Sequence, residues 1–140
     1  MSGINFARWL LGGLAAGLLI WLVKGATSLL YLADMEAVLA SHRLAMSSRG
    51  GMVLLSLGAS VLAGLVVVFL YAAARARFGP GPRTAVIVAV ALWLGGGVVG
   101  LLGAAMVGLF PSRLLVTWAA IGLIELVLGA AVGGWIYRET

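Results

Sequence analysis

"AAIGLIELVLGAAVGGW", residues 119–135, is an apolar run with one carboxylate, Glu125, near its middle. A helix rising 1.5 Å per residue through this run and its flanks, 114–137, is long enough for the roughly 30 Å hydrocarbon core of a bilayer. Three further stretches, 6–32, 51–74 and 84–109, share its character. The expected fold is therefore all-α: a single transmembrane domain over 1–140, built as a bundle of four transmembrane helices. A glutamate in hydrocarbon costs several kcal/mol unless it is protonated, paired or facing water, so Glu125 is the first residue to explain.

Composition supports this class. Of 140 residues, 64% are hydrophobic and 9% charged, against about 45 to 50% and about 25% in soluble domains. Cysteine is absent, which excludes disulfides, thiol nucleophiles and cysteine metal sites. One histidine, His42, and four acids, Asp34, Glu36, Glu125 and Glu139, are too few for an ordinary protein-only metal site. No metal or cofactor is expected. His42 has no evident partner and no serine nucleophile motif appears, so a lipid-active enzyme is disfavoured and the chain reads as non-enzymatic. His42 itself is expected to be an exposed loop residue. The formal charge of +5 comes from arginines at the ends of apolar segments, where they face anionic lipid rather than nucleic acid.

Those arginines also set an expected orientation. Arg8, Arg75, Arg77, Arg83 and Arg138 fall on one side, Arg43, Arg49 and Arg113 on the other, with Asp34 and Glu36 on the less basic side. The excess of positive charge predicts that both termini and the 75–83 turn are cytoplasmic. Arg8 ahead of an apolar stretch imitates a signal peptide, but Lys24 within "VKGA" spoils the cleavage context, so the first span is read as retained. Its long apolar stretch leaves room for tilt, a kink near Gly25, or emergence beyond the bilayer. In the one sizeable loop, 33–50, "ADMEAVLASHRL" has the dipole pattern of a short interfacial helix, with acids in its first turn and His42 and Arg43 in its last. Most aromatics sit near span ends as an interfacial belt, Tyr31 and Trp118 among them, while Trp21 and Trp93 lie deeper and read as packing residues.

Glycine occurs 21 times, and its spacing predicts how the helices meet. Gly13 and Gly17, Gly96 and Gly100, and Gly129 and Gly133 stand four apart, with Ser60 and Gly64 as a weaker version on the second span. Such spacing lays a groove along one helix face, where backbones approach closely and dispersion replaces the missing hydrophobic drive. Six glycines between Gly95 and Gly108 weaken the third span, each by up to about 1 kcal/mol relative to alanine. Tight packing, or a hinge or small cavity beside Gly95 to Gly97, would account for them.

Depth suggests a partner for Glu125. It lies about 20 Å from Arg138 along its helix, and Lys24 lies about 24 Å from Arg8 along the first. If both arginines mark the same interface, the two depths differ by about 4 Å, which long side chains bridge. An intramembrane pair of Lys24 and Glu125, acting as a structural latch between the first and fourth spans, is one expectation. The other is that Lys24 snorkels outward while Glu125 stays protonated and hydrogen-bonds a backbone carbonyl, Thr27 or Ser28. A proton or ion relay needs a connected polar path, and the remaining hydroxyls, Ser56, Ser60 and Thr117, make a thin one.

Between the second and third spans, "YAAARARFGPGPRTA" (71–85) ends one helix at its glycines and prolines and offers Thr84 as cap for the next. Arg75, Arg77 and Arg83 crowd this turn, fixing orientation or contacting a lipid headgroup or an acidic partner. With "INFARWLLGGLAAGLLI" (4–20) and "GLIELVLGAAVGGWIYRE" (122–139), this stretch resembles a family of small bacterial four-helix integral membrane proteins known as a domain of unknown function. The resemblance spans most of the chain and implies a four-span bundle of a bacterial inner membrane with an uncharacterised role. It transfers no catalytic residue. In that family the segment matching "LVKGATSLL" is expected to hold an acid or amide, so Lys24 is a departure. The leading functional expectation is an accessory or self-associating bundle, as a homo-oligomer or within a larger membrane complex. The alternative is a small proton- or ion-coupled transporter or channel using Glu125. Small multidrug-resistance transporters also have four helices and a membrane glutamate, but theirs lies in the first span of a shorter chain.

Overall fold

The structure, a computed structural model, describes residues 3–137. Arg138 and Glu139, which the charge pattern used as an interface marker and a wet terminal acid, lie outside the described residues. Within them the chain is helical, in the order α1 (Phe6–Ser28), α2 (Leu32–Ser41), α3 (Arg49–Phe78), α4 (Pro82–Leu92), a π-helical segment (Trp93–Val98), α5 (Val99–Val107) and α6 (Ser112–Ile136). The α4, π and α5 segments run together as one long helix, Pro82–Val107. With α1, α3 and α6 it makes four helices long and apolar enough to cross a membrane.

Local chemistry sets the boundaries. Asn5 caps α1 by accepting the Arg8 N–H at 3.1 Å, and Ser48 caps α3 by accepting the Gly51 N–H at 3.2 Å, each satisfying an otherwise orphaned donor. The helix α1 passes Gly25 and ends at Ser28, short of the expected 32. Thr27 and Ser28 turn their hydroxyls back onto the carbonyls of Val23 and Gly25. The Leu30 and Tyr31 N–H groups then bond to Thr27 and Ser28, tightening the chain into a turn. That turn launches α2, with Asp34 in its first turn. His42 and Arg43 fall just beyond the last turn of α2 rather than inside it, Arg43 in the left-handed region at φ 56°. At the other end of the bundle, Gly79 (φ 81°) and Gly81 (φ 132°) make the bend before Pro82, conformations that a side chain strains. Gly81, not Thr84, is the N-cap of α4. Thr84 instead donates its hydroxyl to the Gly79 carbonyl at 2.6 Å and buttons the turn to the helix.

Helix α1 packs against α3 and α6, and α4 packs against α3 and α6 on the far side. Antiparallel α1 and α6 meet where Gly12 faces Gly133 and where Gly129 faces Ala16 and Ile20. A Cβ built on Gly12 would lie 2.8 Å from the Gly133 carbonyl oxygen, and one on Gly129 2.8 Å from Ile20 Cδ1. The α1 and α3 backbones are equally close. A Cβ on Gly17 would lie 2.6 Å from Val61 Cα, one on Gly13 2.9 Å from Leu65 Cα, and one on Gly64 would press onto Gly13 and Gly17. The best-buried cluster, including Ala16, Val67, Val68, Tyr71, Ala89, Ala130 and Tyr137, occupies the half of the bundle nearer the Gly79 turn.

The third long helix departs from expectation. Among the described residues Gly96 and Gly100 pack on nothing: a Cβ on either would meet no atom within 4 Å. Their spacing from buried Ala85 and Ala89 places all four on one stripe of a regular α-helix. The π segment, which contains Gly96 and precedes Gly100, has more residues per turn and puts both glycines out of phase with Ala85 and Ala89. The end of that helix is correspondingly bare, with Met106 89% and Val107 75% exposed.

Candidate functional site

The register of α1 against α6 builds the site. Gly133 faces Gly12 and Ala16, and Gly129 faces Ala16 and Ile20, so one further turn along each helix brings Lys24 beside Glu125. Lys24 Nζ lies 3.8 Å from Glu125 Oε2, an ion-pair distance longer than a direct hydrogen bond. The two ends of the pair differ in environment. The Glu125 side chain is 8% exposed and that of Lys24 is 38% exposed. Thr27 and Ser28, the other possible partners, spend their hydroxyls on their own helix.

Glu125 faces a cleft of about 330 Å³ lined from all four long helices, with Lys24, Tyr31, Trp93, Gly97 and Trp118 among its walls. Three aromatic residues thus line the same cleft as one acid. Trp93 opens the π segment and is held by its indole N–H, which donates to the Ala119 carbonyl at 2.8 Å. Gly97, one turn on, leaves that ring uncovered, since a Cβ there would stand 3.3 Å from Trp93 Cδ1. Trp118 is wedged edge-to-face between Tyr31 and Phe110, with centroids 5.9 and 5.0 Å away. Burial, and then the charge of Glu125, push the Tyr31 phenol above its usual pKa of 10.0.

A second cleft, of about 590 Å³, lies under α2 between α1 and α3. Its walls are mainly apolar, including Trp21, Met35, Met46 and Met52, with Arg49 at its edge. Trp21 donates its indole N–H to Ser56 Oγ at 3.1 Å. Lys24 and Tyr31 line both clefts, so Lys24 stands at the partition between them.

Elsewhere the candidate residues are separate. At the Gly79 end, the Arg75 guanidinium reaches the Tyr137 carbonyl at 3.4 Å and lies 5.4 Å from that ring's centroid. Tyr137 in turn accepts the Asn5 N–H at 3.2 Å. Arg77 and Arg83 are exposed nearby. His42 is exposed beside Val38 and Ser41. Among the described residues no three His, Asp or Glu side chains gather as a metal site would require. The sequence reading placed Glu125 and Lys24 but treated Tyr31 and Trp118 as belt residues and Trp93 as packing. Their convergence depends on the turn after Ser28 and on the π segment. The available signal was the Trp93 and Gly97 spacing, an aromatic one turn from a glycine that bares it.

No family model, curated protein or solved structure matches this chain, so the functional reading rests on the site itself.

Proposed function

We propose that this chain is a non-enzymatic multi-pass membrane protein, an accessory or self-associating bundle in which Lys24 and Glu125 act as a structural pair between α1 and α6. The observation that carries the reading is the bare third helix. Its outer half presents Gly96 and Gly100 with open space before them, while its own bundle leaves Met106 and Val107 uncovered. Close approach of a partner helix is what such a face permits. The arginine distribution supports cytoplasmic termini, and the family resemblance supports a bacterial inner membrane with surrounding lipid as the constant partner. Arg77 and Arg83, exposed at the Gly79 turn, are suited to headgroup phosphates.

The experiment is purification in mild detergent with cross-linking through a cysteine at Gly100, the only thiol such a variant would contain. The expected result is a cross-linked homo-oligomer or a co-purifying subunit, lost when Gly96→Leu is added to the cysteine variant while the helical fold survives. A monomer that elutes alone, with a proton-coupled flux in liposomes abolished by Glu125→Gln, would overturn the reading. That outcome would favour transport through Glu125, for which the cleft reaching its carboxylate is the supporting observation.

A further inference from the structure

Three features of the Glu125 cleft point to a ligand rather than to a latch alone. The first is charge. Glu125 is the one acid among the cleft-lining residues, and its counter-ion, Lys24, is held at 3.8 Å and remains 38% exposed. The second is the wall. Tyr31, Trp93 and Trp118 present aromatic rings to the same volume, and the faces of such rings attract cations that have shed water. The third is the partition. Lys24 also borders the apolar cleft beneath α2, so its four-carbon stem has a second place to lie, with the ammonium directed to the outer interface.

We propose that the Glu125 cleft binds a lipophilic organic cation, an aryl- or alkyl-ammonium, with the Glu125 carboxylate as its counter-ion, the three rings as its walls, and Lys24 as the built-in competitor for its seat. With Lys24 in place the cleft is electrically balanced. When Lys24 swings into the neighbouring cleft, the Glu125 carboxylate loses its counter-ion in a low-dielectric setting and takes up a proton, and an incoming cation binds by displacing that proton. An anion finds no free positive charge there. A neutral molecule gains the apolar walls but nothing from the Glu125 carboxyl, which then keeps its proton. A volume of about 330 Å³ is at the small end of ordinary ligand sites, which limits the ligand to a compact head with one aromatic or short alkyl arm. The π segment contributes by opening the wall at Gly97. Such segments inside α-helices recur at functional sites. The inference is independent of the association reading, since Gly100 lies outside the cleft lining.

The test is equilibrium dialysis of labelled benzyltrimethylammonium against the full chain in nanodiscs, with neopentylbenzene, its uncharged isostere, as the control. Saturable binding is expected for the ammonium and not for the isostere. Lys24→Met should tighten binding by about 10-fold, because the internal competitor is gone, and the ammonium should then raise the thermal midpoint of that variant. Glu125→Gln should weaken it at least about 30-fold, and Trp118→Leu by about 5-fold, in the range of a partly desolvated cation–π contact. The double variant Lys24→Met with Glu125→Gln removes both charges, so it should fold, as judged by circular dichroism, and fail to bind. Equal binding of the isostere, loss of binding in Lys24→Met, or absence of binding in both the wild type and Lys24→Met overturns the proposal.

Discussion

A double-mutant cycle at Lys24 and Glu125 tests whether the pair contributes to stability. At 3.8 Å two unit charges attract by about 4 kcal/mol at an effective dielectric of about 20, and by about 1 kcal/mol in water. The 38% exposure of Lys24 pulls the value toward the lower figure, and polar couplings between membrane helices average about 0.6 and reach about 1.7 kcal/mol. A coupling of about 1 to 2 kcal/mol follows. The single substitutions should be unequal. Lys24→Met strands a carboxylate that is 8% exposed and should cost about 2 kcal/mol or more. Glu125→Gln leaves Lys24 free to turn toward the interface and should cost less, about 1 kcal/mol. The assay is reversible unfolding in mixed micelles titrated with dodecyl sulfate, followed by far-ultraviolet circular dichroism on the two single variants and the double. Additivity within about 0.5 kcal/mol, or a larger cost for Glu125→Gln than for Lys24→Met, would refute the reasoning.

The same unfolding assay should separate the glycines. Gly64→Val drives side-chain atoms into Gly13 and Gly17 and should cost at least about 2 kcal/mol, in the upper range of overpacking, whereas Gly100→Val, with nothing within 4 Å, should change the stability of the single bundle by less than about 0.5 kcal/mol. Tyr71→Phe removes the hydroxyl that accepts the Gly81 N–H at 3.0 Å and should cost about 1 kcal/mol. Absorbance titration, read as the difference from Tyr31→Phe, should show the Tyr31 phenol ionising above 10.0, and Glu125→Gln should lower that value part of the way, since burial is the larger cause. Because the folded phenol keeps its proton to higher pH than the unfolded one, its contribution to stability is whole below the usual value and fades as pH rises through the folded one. Single cysteines in the otherwise thiol-free chain should react with an impermeant maleimide from outside intact cells at Ala40 and not at Arg77; the reverse pattern would invert the proposed orientation.

How far the sequence reaches is clearest in the third long helix. Hydropathy and length locate it, and the observed bounds of all four long helices lie within a few residues of the apolar stretches. The close approaches of Gly13 and Gly17 to α3 and of Gly129 and Gly133 to α1 are legible in their four-residue spacing, whereas Gly12, which faces Gly133, has no such mark. Gly96 and Gly100 carry the same spacing yet lack a partner in the bundle, because the wider turns of Trp93–Val98 contain the first and precede the second, and phase is a property of every residue before them. A similar logic governs the site. Lys24 and Glu125 are marked by being charges in apolar runs, a signal read one residue at a time. Tyr31 reaches the cleft only because Thr27 and Ser28 bring α1 to an end early. Trp118 reaches it through stacking on a ring 87 residues earlier in the chain, and no local pattern encodes such a contact.

The meeting of Asn5 with Tyr137 has a consequence for how such a chain can be multiplied. Four long helices return the polypeptide to the end of the bundle at which α1 starts, and this hydrogen bond holds Asn5 and Tyr137 together at 3.2 Å. Two copies can thus be joined in tandem by a short polar linker without an added crossing and without inverting the second copy. A permuted chain, closed at that point and reopened at residues 43–48, would keep the same core while presenting both new ends at the opposite end of the bundle.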